Sequence, residues 1–279
     1  MATNLPRRFR VACIQLNAGS DWRDNAEKIL RKIHQALGLH PRLIALPENC
    51  YFRGDGRRLG KVSDAVFREF LPVIKETARK NDVSVLLGSV PERSRVPGKF
   101  YNTSMLISSG GKIAAQYRKI HLFDIALPNL RAKESDTVQG GRRVITGSMG
   151  KIKAGLTICY DLRFPELFRV LTRRGVRLIF VPAHFTHKTG QAHWEVLLRA
   201  RAIENQVYII APNQVGVHPE SKILSYGTSL IIDPWGKVIV RGSKDQEQIL
   251  AADLDFSDQD RLRKSFPVLK SIRLDKIRP

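Results

Sequence analysis

Short apolar runs alternate along this chain with stretches that have helical spacing. Residues 8–16 alternate apolar and polar side chains and predict a strand, whereas residues 24–37 carry apolar side chains at helical intervals. A fully apolar run at 43–46 predicts a buried strand. The same order returns in the second half, with strands predicted at 152–158 and 177–183 and helices at 166–174 and 191–205. The pattern therefore predicts an α/β fold with strand–helix–strand units in both halves.

The remaining elements follow from the same patterns and leave no linker between the halves. A helix is predicted over 63–79 with Ser63 as its cap, and Ser108 to Gly111 predict the turn of a β-hairpin. Further strands are predicted at 83–90, 100–107, 112–117, 207–211, 229–232, 238–240 and 249–254. Residues 124–146 show no clear period and predict a long polar loop. We expect a single domain over 1–279, with a basic segment of weak helical character from about residue 256.

Composition favours a globular protein of a reducing compartment. The 279 residues are 43% hydrophobic, which suits a sizeable core. Cys13, Cys50 and Cys159 form no CxxC pair and predict neither a disulfide framework nor a cysteine-based zinc site. No leader-like apolar segment precedes the first strand, and no apolar run reaches the length of a membrane span. These features predict a cytoplasmic protein without a membrane partner.

The charge balance is strongly positive. Lys and Arg number 47 against 26 Asp and Glu, which gives a formal net charge of +21. A positive field of this kind attracts nucleic acids or small anionic substrates. The basic residues are scattered in twos and threes, with a modest concentration after residue 256 that extends to Lys276 and Arg278, and no nucleic-acid-binding motif accompanies them. We interpret them as a solvated basic surface, expect no specific nucleic-acid partner, and keep polyanion binding as an alternative function.

Cys159 occupies a position typical of a nucleophile. It lies where the apolar strand before it gives way to an amphipathic helix, so that its thiol is expected on a sharp turn. The N–H of Tyr160 and the positive end of the helix are expected near the sulfur, where they would lower the pKa of the thiol and stabilise developing negative charge. The alternative is that Cys159 is a small buried hydrophobe, as most free cysteines are.

Two further reactive side chains are predicted at strand ends. Glu48 follows the buried strand at 43–46, and Lys119 follows the second arm of the hairpin, before an apolar and aromatic run that would carry it inward. A carboxylate, an ammonium and a thiol are sufficient for acyl transfer: Glu48 takes the thiol proton, Cys159 attacks a carbonyl or nitrile carbon, and Lys119 stabilises the oxyanion. Glu134, in the long loop, is a possible fourth member that orients the lysine or the water. This chemistry needs no metal or cofactor.

Other catalytic constellations fit the sequence less well. His184, His187 and His193 cluster locally, but their spacing matches no standard zinc pattern. The chain has no GxSxG elbow, no GxGxxG after the first strand and no GxxxxGK[ST] loop. A Cys–His protease remains the nearest alternative, because His184 would lie close to Cys159 if their strands were neighbours.

Three blocks that occur in order resemble the nitrilase superfamily of carbon-nitrogen hydrolases. They are Leu46-Pro47-Glu48, YRKIHLFD at 117–124 and CYDLRFPEL at 159–167. The resemblance implies a four-layer αββα sandwich, a triad of Glu48, Lys119 and Cys159, and Glu134 as a supporting glutamate. It also implies an oxyanion held by Lys119 and the Tyr160 amide, and subunits that pair, as a homodimer or higher oligomer, through helices near the active site.

Further segments are similar to one branch of that superfamily, which holds the omega-amidases and the deaminated-glutathione amidases. These segments are residues 189–205, 226–229 and 233–236. The resemblance implies release of ammonia or an amine from a small amide that bears a carboxylate, with N-carbamoyl-amide or nitrile hydrolysis as alternatives for the same triad. Within 189–205 we expect Trp194, Leu197 and Leu198 to be core residues, and Glu195 and Arg199 to form an i,i+4 ion pair. Proximity to the catalytic blocks predicts the pocket lining: Tyr51, Phe52, Phe123, His184, Phe185 and Thr186.

Overall fold

The computed structural model describes residues 8–128 and 130–273. Its strands, numbered in chain order, are β1 (Phe9–Gln15), β2 (Leu43–Ala45), β3 (Ser84–Arg93), β4 (Phe100–Ile107), β5 (Ile113–Arg118), β6 (Asp124–Leu127), β7 (Leu130–Lys133), β8 (Thr146–Met149), β9 (Ile152–Leu156), β10 (Leu178–Phe180), β11 (Tyr208–Ala211), β12 (Leu230–Ile232), β13 (Val238–Arg241) and β14 (Gln248–Leu254). Its α-helices are α1 (Trp22–Leu37), α2 (Leu59–Ala65), α3 (Leu71–Lys80), α4 (Pro165–Arg173), α5 (His187–Asn205) and α6 (Phe256–Ser265).

The strands form two six-stranded sheets and a separate hairpin. The first sheet has the order β14-β1-β2-β3-β4-β5, the second has the order β13-β12-β11-β10-β9-β8, and β6 pairs with β7. At the centre of each sheet the strands are parallel: β1 with β2 and β3, and β9 with β10 and β11. Strand β5 is antiparallel to β4, which is antiparallel to β3, so β5 ends at the same edge as β2.

Alternation along β1 shows how the layers are arranged. Val11 and Cys13 belong to a core that also contains Leu156 and Phe180 of the second sheet, so the two sheets pack face to face. Ala12 and Ile14, on the other face of β1, pack in a second core with residues of α1 to α3. Helices α4 and α5 cover the outer face of the second sheet through Leu167, Phe168, Trp194 and Leu198. The expected αββα sandwich is confirmed.

This topology brings the reactive strand ends to one edge of the sandwich. Glu48 follows β2 and Lys119 follows β5 in the first sheet, whereas Cys159 follows β9 in the second. A close backbone approach fixes the segment before Glu48: a Cβ on Gly88 of β3 would lie 2.0 Å from the carbonyl oxygen of Leu46. Only glycine therefore allows β3 to pack against this segment.

Two predicted elements differ from the structure. Ser63 does not cap a helix at 63–79; it is buried inside α2, and helical backbone runs from Leu59 to Lys80 through a π-helical stretch, Val66–Phe70. Helix α2 has no side-chain cap of its own; Asp55 instead caps the preceding 3₁₀ turn, Gly56–Arg58, where its carboxylate accepts from Arg57 N at 2.9 Å. The loop predicted at 124–146 contains the hairpin β6–β7, whose strands are short and largely solvent-exposed and therefore lack a strong apolar alternation.

Long-range contacts also replace one predicted local pair. Trp194 and Leu198 are fully buried as expected, but Glu195 does not pair with Arg199. Glu195 instead accepts from Arg241 of β13 at 2.6 Å, and Arg199 Nε donates to the Gly236 carbonyl at 2.8 Å. Strand β13 and the turn before it lie across α5 and offer both side chains better-placed partners.

The basic segment after residue 256 begins as a regular helix. Asp255 caps α6 by accepting from Ser257 N at 2.8 Å and from Asp258 N at 3.2 Å. A 3₁₀ turn, Val268–Ser271, follows. Lys276 and Arg278 lie outside the described residues. Across the described residues, no helix is long and apolar enough to cross a membrane.

Candidate active site

A buried cation is placed between two carboxylates at the shared sheet edge. Lys119 Nζ lies 2.9 Å from Glu48 Oε1, 2.8 Å from Glu134 Oε2 and 3.1 Å from Glu134 Oε1. The Lys119 side chain is 2% exposed. Burial by itself would lower the pKa of Lys119, but Glu134, Glu48 and Cys159 together raise it well above its usual value. Lys119 is therefore a permanently charged ammonium, as a stabiliser of an oxyanion must be.

Asn102 of β4 joins the two carboxylates from another side. Its Nδ2 donates to Glu48 Oε1 at 2.9 Å and to Glu134 Oε1 at 3.1 Å. No sequence pattern predicted this residue in the site. The sequence shows only a polar side chain within a strand that ends in a buried apolar run, and such side chains often face solvent. The pairing of β4 with its neighbours is what places Asn102 in the site.

The turn that carries Cys159 is tight and strongly held. Cys159 has φ 46°, in the left-handed region that non-glycine residues rarely occupy. Its N–H donates to the Pro182 carbonyl at 2.9 Å. The buried carboxylate of Asp161 accepts from Ile158 N at 2.8 Å, from Tyr117 Oη at 2.7 Å and from His121 N at 3.1 Å. These bonds hold the strained turn in place, as is common at catalytic residues.

The surroundings of the Cys159 thiol raise its pKa, contrary to expectation. Burial is the main cause, and the charge of the nearby Glu48 carboxylate adds to it. Lys119 and the N–H of His184 act in the opposite direction but are outweighed. The predicted helix is also more distant, because a 3₁₀ turn, Cys159–Arg163, comes first and α4 begins only at Pro165. The resting thiol is therefore protonated, and it shares its cavity with the Glu48 carboxylate.

His184 supplies its backbone to the site, whereas its ring faces elsewhere. Its N–H donates to Glu48 Oε2 at 2.8 Å. The ring Nε2 lies 3.0 Å from Ser225 Oγ and 3.3 Å from a guanidinium nitrogen of the buried Arg53. Burial, then Arg53 and His218, lowers the pKa of His184 well below its usual value, so the ring is neutral. This geometry does not favour a Cys–His protease.

The residues described contain no group of His, Cys, Asp or Glu side chains arranged to hold a metal ion. His184, His187 and His193, which cluster in the sequence, therefore do not form a metal site in this part of the chain.

A cavity of about 290 Å³ opens onto the thiol. Of the residues expected to line it, Phe123, Tyr160, His184, Phe185 and Thr186 do so, together with Glu48, Lys119, Glu134 and Cys159. Phe52 does not line it. Phe52 lies on a neighbouring cavity of about 320 Å³, which shares Asn49 and Glu134 with the first. Tyr51 is also absent from the lining, because its ring packs on Phe70 with centroids 4.5 Å apart in the core between the first sheet and its helices.

Two further cationic side chains, Arg163 and Lys133, also line the cavity, and no sequence pattern predicted them there. The Arg163 guanidinium lies over the rings of Tyr160 and Phe185, 5.5 Å and 5.4 Å from their centroids, and 3.2 Å from His193 Nδ1. Across residues 8–128 and 130–273 it has no carboxylate partner. Lys133, the last residue of β7, also lines the cavity, and its Nζ lies 3.1 Å from Asp136 Oδ1. The signal for Arg163 was its position just after Cys159 on the same turn.

Comparison with known proteins identifies the family. The family model for carbon-nitrogen hydrolases matches residues 10–264. This chain belongs to the carbon-nitrogen hydrolase family. It is therefore a hydrolase, and the resemblance drawn from the three sequence blocks is confirmed.

Relatives of the carbon-nitrogen hydrolase family align along almost the whole chain. A deaminated glutathione amidase of Dictyostelium discoideum is 36% identical over 95% of this chain and 94% of its own length. An omega-amidase of Mus musculus is 34% identical over 96% of both. The chain spans 57% of the nitrilase and fragile histidine triad fusion protein of Drosophila melanogaster, with 36% identity. The crystal structure of the C. elegans NitFhit protein superposes with a TM-score of 0.91 and 35% identity, over 100% of this chain and 67% of that one.

Proposed function

We propose that this carbon-nitrogen hydrolase cleaves the amide bond of a small, carboxylate-bearing substrate through a thioester on Cys159. One observation carries the proposal. The Cys159 thiol and the Glu48 carboxylate line the same cavity, the charge of Glu48 raises the pKa of that thiol, and the carboxylate is held by the Lys119 ammonium at 2.9 Å. A nucleophile, a proton acceptor and a charged stabiliser thus lie within one cavity.

The first half of the reaction follows from these contacts. As the Cys159 sulfur attacks the amide carbon, its proton passes to Glu48 and the carbonyl oxygen becomes an oxyanion. Lys119 supplies charge to that oxygen. The Tyr160 N–H supplies a second donor, since it donates to no described protein acceptor. Collapse of the tetrahedral species breaks the C–N bond, Glu48 returns the proton to the nitrogen, and ammonia or an amine leaves the thioester behind.

Water completes the cycle through the same groups. Glu48 accepts a proton as water attacks the thioester carbon, the C–S bond breaks, and the thiol recovers its proton as the carboxylic acid is released. Glu134 does not contact the sulfur in this scheme. It accepts from Lys119 through both oxygens and from Phe123 N at 2.7 Å, so we assign it the role of positioning Lys119.

Arg163 supports a substrate that carries a carboxylate. A guanidinium on the wall of the catalytic cavity, without a carboxylate of its own in the described chain, offers a two-pronged donor to an anionic group. The names of the two relatives, a deaminated glutathione amidase and an omega-amidase, agree with amide hydrolysis. N-carbamoyl amides and nitriles would use the same nucleophile and oxyanion donors, so they remain alternatives.

A substrate panel with a matched pair of arginine variants tests this function. We expect release of ammonia from α-ketoglutaramate or α-ketosuccinamate, or cleavage of deaminated glutathione to a carboxylic acid and a peptide amine, but no turnover of N-carbamoyl amino acids or simple nitriles. Arg163→Gln should lower kcat/KM for the carboxylated amide by about 10- to 100-fold, because it removes a charged, bidentate contact. A neutral amide such as butyramide should be unaffected by this change.

Arg173→Gln is the control, because Arg173 is exposed on α4 and does not line the cavity. An equal loss in both variants, or for both the charged and the neutral amide, would contradict the role of Arg163. Turnover of nitriles or carbamoyl compounds alone would replace the amide assignment.

We propose a homodimer formed through the outer faces of α4 and α5. These faces expose Val170, Val196 at 67% and Ile203 at 47%, and helical periodicity places Val196 and Ile203 on one side of α5, where a second copy could cover both. A double variant, Val196→Glu with Ile203→Glu, should sediment as a monomer, because it places charges in the buried interface. Val217→Glu, at an equally exposed loop position (51%), is the control and should leave the sedimentation coefficient unchanged. A monomeric unsubstituted protein would refute the dimer.

We further propose that residues 1–279 act as one catalytic domain in the cytoplasm. The match of one family model to residues 10–264 supports the single domain. Support for the location comes from Cys13, Cys50 and Cys159, which are all free and buried, as suits a reducing compartment.

A further inference from the structure

A second cationic cavity lies away from the catalytic one. It has a volume of about 490 Å³ and includes Arg118, Arg142 and Arg143 in its lining. None of its lining residues lines the catalytic cavity. The proposed amide hydrolysis does not involve this second cavity, so the kind of ligand it could bind is inferred from its own lining residues.

Two of its three guanidinium groups are uncompensated. Arg118 is neutralised by Glu92, with Nε 3.0 Å from one carboxylate oxygen, and its guanidinium rests on the ring of Tyr101, 4.0 Å from the centroid. Arg142 and Arg143 are exposed and have neither an ion-pair nor a hydrogen-bond partner among residues 8–128 and 130–273. The cavity therefore carries an excess positive charge that favours an anionic ligand.

The segment that carries these arginines is held rigidly against the first sheet. Gln139 N donates to the Phe100 carbonyl at 2.8 Å, and Gly141 N donates to the Lys119 carbonyl at 2.7 Å. A Cβ on Gly141 would lie 2.2 Å from the Arg118 carbonyl oxygen, so glycine is required for this close approach. The two arginines that follow are thus presented from a fixed backbone, which reduces the entropy lost when they bind.

We infer that this cavity binds a small phosphate-bearing molecule through Arg142 and Arg143. Arginine is suited to this task, because its planar fork of donors matches phosphate oxygens. The site is separate from the proposed amide hydrolysis, so either assignment can fail without the other.

Calorimetric titration with ATP and with inorganic tripolyphosphate, both without magnesium and at physiological salt, tests the site. We expect saturable binding with one site per chain. Arg142→Gln with Arg143→Gln should weaken it by at least about 30-fold, because two charge-assisted contacts are lost. Tighter binding of ATP than of tripolyphosphate would identify an organic phosphate as the ligand, and equal affinities an inorganic one; both outcomes support the site.

The control variant is Lys61→Gln with Arg68→Gln, which removes the same charge from exposed positions that do not line the cavity. It should retain the affinity of the unsubstituted protein. Equal weakening of binding in both double variants would mean that the phosphate ligands are attracted only by the overall positive charge of a +21 protein. That result would overturn the proposal. So would the absence of saturable binding by either probe, or competition by duplex DNA alone with a steep dependence on salt. Unchanged thermal midpoints of both variants would establish that they fold.

Discussion

Replacement of Cys159 by alanine is expected to abolish amide hydrolysis, with a loss in kcat of about 10⁵-fold. The sulfur forms the only covalent bond to the substrate in the proposed reaction, and no neighbouring group can replace it. Alanine removes only the sulfur atom, which borders the cavity, and adopts the left-handed backbone that Cys159 already occupies. The fold should therefore survive, and the measurement is ammonia release together with a thermal melt.

Cys50→Ala provides the matched control. Cys50 is also fully buried, but its thiol donates to the Ser89 carbonyl at 3.6 Å and it lines neither cavity beside the carboxylates. This variant should keep most of its activity. Residual turnover by Cys159→Ala at more than a small fraction of the normal rate would refute the thioester mechanism. Mass spectrometry of the unsubstituted protein, quenched during turnover, should show an acyl adduct on the peptide that contains Cys159.

Replacement of Glu48 by glutamine is expected to change turnover and thiol ionisation in opposite directions. Turnover should fall by about 10³-fold, because the amide cannot accept the thiol proton or return it to the leaving nitrogen. The pKa of Cys159 should fall, because the charge of Glu48 is one of the causes that raise it, whereas Lys119 remains to stabilise the thiolate. The pH profile of alkylation by iodoacetamide should therefore have its midpoint at lower pH.

Glu134→Gln separates this effect from a general loss of negative charge. Glu134 also contacts Lys119, but it is not among the main groups that shift the pKa of Cys159. The midpoint of alkylation should move much less in this variant than in Glu48→Gln. An unchanged or higher midpoint in Glu48→Gln would mean that the carboxylate does not act on the thiol in the way the structure indicates.

The positions of Glu48 and Cys159 could be predicted because each follows a buried apolar strand, and the carboxyl ends of parallel strands gather at the edge of a sheet. Lys119 follows the half-exposed strand β5 and reaches the same edge through two successive antiparallel pairings. Asn102 and Arg163 could not be found in this way. Their importance depends on which side chains lie opposite them, and that is decided by the pairing of β4 and by the conformation of the turn after Cys159.

Local sequence was a poor guide to electrostatics and to the pocket wall. The predicted fall in the thiol pKa considered the Tyr160 N–H and the following helix but left out burial and the Glu48 carboxylate, which dominate. Phe52 was expected in the catalytic cavity because it is near Glu48 in the chain, yet the backbone between them carries its ring to the neighbouring cavity. Both errors arise because nearness in sequence was taken for nearness in space.

The bonds to Glu48 cross the boundary between the two sheets. Lys119 and Asn102, from the first sheet, hold one carboxylate oxygen, whereas the N–H of His184, which follows β10 of the second sheet, holds the other. Gln214, which follows β11, donates to the Glu48 carbonyl at 2.9 Å. Catalysis therefore depends on the alignment of the two sheets, because both of them hold Glu48 in place. We therefore expect heat to abolish activity at a lower temperature than it melts the secondary structure, because a slight slip of one sheet over the other would already displace Glu48.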